Sequence, residues 1–362
     1  MKIVFFGLSI TSTWGNGHAT TYRSLVRALS ARKHEIIFLE RDVEWYANQR
    51  DMADPPFCKL HLYKTLADLK RQFRADIRSA DCIVIGSYVP DGVVVAEWVT
   101  RNAQGPIAFY DIDTPVTLAK LAKGDYEYLS PQLIPLFDLY LSFTGGPLLD
   151  RLATEFGARM VRPLFCSADP DLYYPQPGKK LWDLGYIGTY SADRHSQFER
   201  LLLAPAHLHS SGRFIVAGSQ YPPEIQWPTN LVRISHLPWL RHREFYNLQR
   251  FTLNLTRGPM VKAGFSPSVR LFEAAACGTA IISDRWPGLE TFFKPGKEIL
   301  VAASTREILD IIKSEPEWRI RQIGKAARER FLEEHTPDDR AAEFESYVAE
   351  LFARSRAPSN VA

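Results

Sequence analysis

The sequence predicts an α/β protein made of two doubly wound parallel-sheet domains in tandem. Three observations carry this. Short apolar, β-branched runs alternate with segments of helical periodicity through residue 165. A proline-rich stretch, SADPDLYYPQPGKK (167–180), then breaks the rhythm, and the same alternation restarts beyond it. The length, 362 residues with 46% hydrophobic and 23% charged, supplies two cores more readily than one.

Taken in order, KIVFFGL (2–8) reads as a strand, HATTYRSLVRALSARKH (18–34) as a helix and EIIFLER (35–41) as the next strand. LADLKRQFRADIRSA is a helix, DCIVIGSY (81–88) a strand, GVVVAEWVTRNAQ a helix and GPIAFYDID (105–113) a strand. LIPLFDLYLSFT suggests a short helix and a strand at 138–143, GPLLDRLATEFGA a helix, and RMVRPLF (159–165) a last strand. In the second half, WDLGYIGT (182–189) and GRFIVAGS (212–219) are strands joined through a helix, and NLVRISHL (230–237) is a short strand. LRHREFYNLQR is a helix, FTLNLTR (251–257) a strand, SVRLFEAAACG a helix, and TAIISD (279–284) and EILVAAS (298–304) the final strands. The segment TPDDRAAEFESYVAELFARSR opens with Thr336 as N-cap and a proline at the first helical position, and carries an apolar stripe. The expected boundaries are a first domain at 1–166, a linker at 167–180, a second domain at 181–335 and a C-terminal helix at 336–362 packing back on the first domain.

The charge balance excludes some classes of function. With 44 basic and 41 acidic residues, a net charge of +3 and no long Lys/Arg run, the chain does not read as a nucleic-acid binder. Cys58, Cys82, Cys166 and Cys277 are scattered, without a C-x-x-C pair, so neither a zinc site nor a disulfide framework is expected. No apolar run is long enough to span a membrane, and the N-terminus reads as a strand rather than a leader, so the expected location is the cytoplasm. Asn254-Leu-Thr256 matches a glycosylation sequon, but within a strand of a cytoplasmic chain it carries no such signal.

Ligands of open parallel sheets sit beyond the carboxyl ends of the strands, and two such domains facing each other make an interdomain cleft. Three strand ends stand out. GLSITSTWGNGHATTYR (7–23) is a Gly-, Ser- and Thr-rich loop running into a helix, with Gly15, Asn16, Gly17 and His18 at its end. It suits a phosphate or a sugar, but lacks the third glycine of a dinucleotide fingerprint, which disfavours NAD. YDIDT (110–114) offers Asp111 and Asp113, pointing the same way if the strand continues, for an acceptor hydroxyl, a proton or a metal; Asp113 is alternatively a helix cap. GFSPSVRLFEAAACGTAIISD (264–284) places Ser268, Val269 and Arg270 in a first helical turn and Glu273 one turn later. With Arg257 and Lys262 in the preceding loop, cations and free N–H groups at a helix start match a diphosphate, and the glutamate a ribose diol. The competing reading is a solvated Arg–Glu pair worth a few tenths of a kcal/mol.

The segment PSVRLFEAAACGTAIISDRWPGLETFFKPGKEILVA closely resembles the donor-nucleotide region of group 1 glycosyltransferases. The chain as a whole resembles their CgeB-like, spore-maturation-type branch, through GYIGTYSADR, FIVAGSQYP, HLPW, FYNLQRFTLNLTR and SADPDLYYP. The resemblance implies a GT-B fold and transfer of a sugar from a UDP-, GDP- or dTDP-sugar to an unidentified acceptor, be it a small molecule, a glycan or a protein. It implies no other cofactor. Carried over by position, Glu273 holds the ribose hydroxyls, and Ser268, Val269 and Arg270 meet the diphosphate with Arg257 and Lys262. Gly188 and Thr189 border the donor, and Ser219 and Gln220 lie near the base with the loop at Leu237–Pro238. Many group 1 enzymes carry a second glutamate where Phe265 stands here, so both retaining and inverting outcomes stay open. For inversion the candidate bases are His18, Asp111 and Asp113. The cationic set around Arg270 leads us to expect metal-independent transfer. A nucleotide-sugar-binding or surface-assembly protein without turnover and a nucleotide-sugar epimerase are the alternatives.

Overall fold

The computed structural model of the protein describes residues 1–14 and 17–356. The chain divides into two compact units: Met1–Phe165 with the helix Pro337–Arg356, and Cys166–Thr336.

Seven strands form the sheet of the first unit: β1 (Lys2–Gly7), β2 (Glu35–Arg41), β3 (Lys59–Tyr63), β4 (Cys82–Gly86), β5 (Ile107–Asp111), β6 (Leu139–Ser142) and β7 (Val161–Pro163). Their order is β3-β2-β1-β4-β5-β6-β7, with every neighbouring pair parallel. All of β4 and β5 is buried, because the sheet has a hydrophobic cluster on each face; this is why these strands read as unbroken apolar runs. The order reverses between β1 and β4, which makes the carboxyl ends of these two strands the switch point of the sheet.

Two features of this unit differ from the periodicity. The strand β3, KLHLY, is mostly exposed at the sheet edge, so no inward-facing apolar run marks it. Residues 66–80 form two helices, Leu66–Gln72 and Arg74–Ser79, broken at Phe73, whose ring is buried. The helix Pro337–Arg356 lays Ala341, Phe344 and Val348 into the cluster that contains Ile3, Phe5 and Tyr22. Glu350 meets Arg162 at 2.9 Å beside it, and Glu345 meets Arg32 at 2.7 Å.

The second unit repeats the plan with β8 (Trp182–Ile187), β9 (Phe214–Ala217), β10 (Leu231–Ile234), β11 (Gln249–Asn254), β12 (Ala280–Ser283) and β13 (Leu300–Val301). These form a parallel sheet in the order β10-β9-β8-β11-β12-β13, with the reversal between β8 and β11. The strand expected over 298–304 shrinks to two residues, because the Glu298 carboxylate turns back to accept the Lys294 N–H at 2.8 Å.

Beyond it lie two helices that the periodicity did not single out, Thr305–Ser314 and Glu317–Glu334. The first carried a legible start signal: the Ser304 hydroxyl accepts the Glu307 N–H at 3.2 Å, the serine half of an S-x-x-E cap. A six-residue helix, Gly258–Ala263, also replaces part of the loop expected before Ser268. The proline-rich stretch expected to link two domains is folded into this unit. Tyr173 is buried there, and the Asn247 side chain ties the Gln176 N–H at 2.7 Å and the Tyr174 carbonyl at 3.0 Å. Prolines deprive that stretch of periodicity, yet the Tyr173 side chain still finds a core.

Candidate functional site

In the second unit the predicted residues gather at the carboxyl ends of β8, β9 and β11. Gly188 follows β8, and the space above it is crowded. A Cβ there would stand 2.7 Å from the Tyr186 hydroxyl and 2.8 Å from Arg270 Nη2. Gly218, after β9, has φ +148°, and a Cβ would fall 2.0 Å from the Gly188 carbonyl oxygen. Only glycine permits that approach. Backbone bonds then continue the two strand ends: Gly188 N–H donates to Ala217 O at 2.9 Å and Tyr190 N–H to Ser219 O at 2.9 Å. Thr189 O accepts Arg194 Nη2 at 2.6 Å, and Gln220 is exposed with φ +66°.

The helix Val269–Ala276 begins at Ser268, an N-cap in extended conformation whose side chain makes no capping bond. Its hydroxyl donates to Asn254 Oδ1 at 2.7 Å instead, so the first-turn N–H groups have no side-chain cap. Arg270, in that turn, is 7% exposed. Its Nε donates to Ile187 O at 2.6 Å and its Nη1 to Asn254 Oδ1 at 3.1 Å, while the guanidinium lies over the Tyr186 ring at 4.7 Å. No partner of Nη2 is found among the described residues.

Glu273 does not pair with Arg270. It is 4% exposed, and its two oxygens accept the Tyr173 hydroxyl at 2.9 Å and the Tyr246 hydroxyl at 2.7 Å. His242 Nδ1 stands 3.8 Å from Oε1, beyond hydrogen-bond distance. Burial alone would raise the Glu273 pKa, but His242 and the two tyrosine hydroxyls outweigh it and hold the carboxyl below its usual range. The solvated Arg–Glu pair weighed from the spacing is therefore excluded: both side chains are inside, each with other partners. Arg257 pairs with Asp193 at 3.2 Å, in the segment that follows β8, and Lys262 is exposed on the short helix after it.

At the switch point of the first unit, Gly15 and Asn16 lie outside the described residues. Gly17 occupies the N-cap of the helix His18–Ala31 and is exposed. The loop before it is held by a residue that the sequence reading passed over. Glu40, fully buried at the end of β2, accepts Thr11 Oγ1 at 2.6 Å, Ile10 N–H at 2.7 Å and Ser9 Oγ at 3.1 Å. A carboxylate closing an otherwise apolar strand was the available signal. His18 is 7% exposed and edge-on to Tyr88, with ring centroids 5.2 Å apart. Among the described residues its Nδ1 has no partner, and burial lowers its pKa to about 4, so the imidazole is neutral at pH 7.

The condition for Asp111 and Asp113 to point the same way is not met. The strand ends at Asp111 and the chain turns, so strand alternation no longer applies. Asp111 has no exposed surface and accepts Tyr140 OH at 2.6 Å, Thr117 Oγ1 at 2.7 Å and the Asp113 N–H at 3.2 Å. Asp113 is half-buried at the N-cap of the helix Thr114–Ala122, makes no capping bond with its side chain, and accepts the Tyr88 hydroxyl at 3.4 Å.

Burial raises the Asp111 pKa from 3.8 to about 6, against the pull of its three hydrogen bonds. The fold thus favours the neutral acid. Its contribution is complete below pH ~4 and is lost as pH rises through about 6, a swing on the order of 3 kcal/mol. Wild type should therefore lose stability relative to Asp111→Asn between pH 4.5 and 7, as measured by urea unfolding at both pH values. A constant difference would show that Asp111 does not titrate in this range.

Two doubly wound units with their polar clusters at the strand carboxyl ends belong to the GT-B fold of glycosyltransferases. The comparisons bear on this directly. Residues 194–346 match the family model described as glycosyl transferase-like. A sucrose-phosphate synthase from Thermosynechococcus elongatus superposes with a TM-score of 0.69 at 14% identity, over 98% of this chain and 100% of that one. HepE of Anabaena, solved with UDP and glucose, superposes with a TM-score of 0.68 at 12% identity, over 96% and 99% of the two chains. The trehalose-6-phosphate synthase OtsA gives 0.67 at 10% identity, over 97% and 99%. No curated protein matches the chain in sequence. Among the described residues, no helix is long and apolar enough to cross a membrane, and no three His, Cys, Asp or Glu side chains group as a metal site.

Proposed function

We propose that the protein is a glycosyltransferase that moves a sugar from a nucleotide-diphosphate sugar to an acceptor. In this reading the diphosphate is received by Arg270 and the start of the helix Val269–Ala276. The observation that carries it is the guanidinium of Arg270, tied down through Nε and Nη1 while Nη2 faces the bare backbone of Gly188. In transfer, the bond from the anomeric carbon to the diphosphate oxygen breaks and its electrons stay on the oxygen. The acceptor oxygen forms the new bond and gives up its proton. Charge developing on the leaving group is met by fixed donors in a largely buried setting, where they act most strongly. Arg270, Arg257 and Lys262 supply positive charge of their own, so we expect the reaction to proceed without a metal ion. Glu273 is assigned to the ribose, through the acceptor capacity that its two tyrosines leave unused.

The acceptor proton goes to the leaving phosphate in a retaining course, or to a first-unit base in an inverting one. Of the three candidates, Asp111 has no surface to offer, which leaves His18 and Asp113. A pKa near 4 suits His18 to hydrogen-bond a hydroxyl better than to remove its proton. The segments GYIGTYSADR, FIVAGSQYP, FYNLQRFTLNLTR and SADPDLYYP support assignment to the CgeB-like branch, and a cytoplasmic setting is part of the same proposal. The neighbour solved with UDP and glucose makes UDP-sugars the first donors to try.

The test is incubation with UDP-, GDP- and dTDP-sugars, with and without EDTA and with an acceptor panel of small molecules, glycans and proteins. Release of nucleoside diphosphate in step with a glycosylated product, undiminished by EDTA, is expected. An isomerised sugar nucleotide would instead indicate an epimerase, and saturable binding without turnover a binding protein.

A further inference from the structure

We propose that Asn254, the asparagine of the apparent glycosylation sequon, is a positioning residue that aims Arg270 at the diphosphate; the inference rests on the phosphate role of Arg270 given above. Asn254 ends β11 and is fully buried, so it touches neither solvent nor ligand and accepts no glycan. Its side chain is saturated, and the direction of every bond follows from the chemistry of the partners. Arg270 has only donors, so the atom facing it is Oδ1, which also accepts the Ser268 hydroxyl. Nδ2 then donates to Ser283 Oγ at 2.9 Å and lies 3.4 Å from Thr256 Oγ1, and the Ser283 hydroxyl donates onward to Asp284 O at 2.9 Å. The chain of bonds runs one way, from the arginine inward to the backbone after β12.

Two consequences meet at the helix start. By taking the Ser268 hydroxyl, Asn254 removes the N-cap side chain from the first-turn N–H groups. By taking Nη1 while Ile187 O takes Nε, it fixes the guanidinium plane so that Nη2 faces Gly188. Both effects open donors toward one anion, although Asn254 itself stays behind them. An arginine freed of this anchor keeps its charge but loses its orientation, and ordering it again opposes binding.

The experiment is a double-mutant cycle on UDP binding, measured by calorimetry on the full chain with Asn254→Leu, Arg270→Ala and the double variant, and with uridine as the phosphate-free control. Expected are a loss of about ten-fold or more in UDP affinity for each single variant, uridine affinity within about two-fold of wild type, and a loss in the double variant well short of the product of the two single losses, because only the share of Asn254 that acts through the Ser268 hydroxyl remains to be lost once Arg270 is gone. Losses that multiply in the double variant, or a uridine loss equal to the UDP loss, would overturn the positioning role. If Arg270→Ala loses affinity and Asn254→Leu does not, the diphosphate reading stands and this inference falls. If Arg270→Ala binds UDP like wild type, both fall. Asn254→Ala, which leaves a void instead of an apolar branch, provides the same cycle should the leucine variant fail to fold.

Discussion

Arg270→Ala is expected to bind UDP some ten- to hundred-fold more weakly than wild type. A hydrogen bond from a charged donor contributes about 1.5–3 kcal/mol, and each 1.4 kcal/mol is a factor of ten in affinity. A surface pair with Glu273 would have been worth only a few tenths of a kcal/mol, less than a factor of two. The magnitude thus separates the two readings of this helix. Arg270→Lys should recover little. One ammonium cannot hold Ile187 O and Asn254 Oδ1 in fixed directions and still present a nitrogen at Gly188. Isothermal calorimetry with UDP measures both variants. A melting curve controls for the carbonyl and amide oxygens that lose a donor in Arg270→Ala. Unchanged affinity in the alanine variant would remove the diphosphate role.

The second large effect is on stability. Glu273→Ala should cost about 2–6 kcal/mol, because it takes the acceptor from two buried tyrosine hydroxyls at once. For a unit of this size that is a fall of roughly 10 °C in Tm. Glu273→Gln should cost less than half as much, since the Tyr hydroxyl facing the new amide can turn to accept from it. Adding Tyr246→Phe to Glu273→Ala should cost little more, because the orphaned hydroxyl is removed while the ring stays in place. Additive losses would mean that the tyrosines do not depend on Glu273.

The pH dependence has a fixed sign. The folded-state pKa of Glu273 is depressed, so its contribution is present above the usual carboxylate pKa of about 4.5 and is lost as pH falls below it. Wild type should therefore lose stability relative to Glu273→Gln on acidification below pH ~4.5. This is opposite in direction to Asp111, whose raised pKa makes its contribution fade as pH rises. Two buried carboxylates in one chain thus differ in sign. Asp111 meets only neutral donors, whereas Glu273 also has an imidazole 3.8 Å away.

Much of the architecture was readable along the chain. The buried parallel strands announce themselves because both faces are covered, which leaves no polar residues to interrupt KIVFFG or CIVIG. Elements with one exposed face were harder to see, as β3 and the amphipathic helix after Ser304 demonstrate. At the candidate site, the order of residues placed Ser268, Arg270 and Glu273 together at one helix start, since cations and small polar residues there are a local pattern. Their partners were not readable. Tyr173 and Tyr246 lie 100 and 27 residues from Glu273, and Asn254 is 16 from Arg270 across a strand-to-helix connection.

The sequence by itself determined two alternating α/β units, a break between them near residue 166, and a cationic helix start after the fourth strand of the second. Only the tertiary structure decided that Arg270 and Glu273 face inward to different partners, that Asp111 is enclosed, and that the sequon asparagine is a buried hinge of the network. The physical reason is one of range. Periodicity and capping are set by neighbours a few positions away, whereas the direction of a guanidinium or the charge of a buried carboxyl depends on which distant chain segments fold against it.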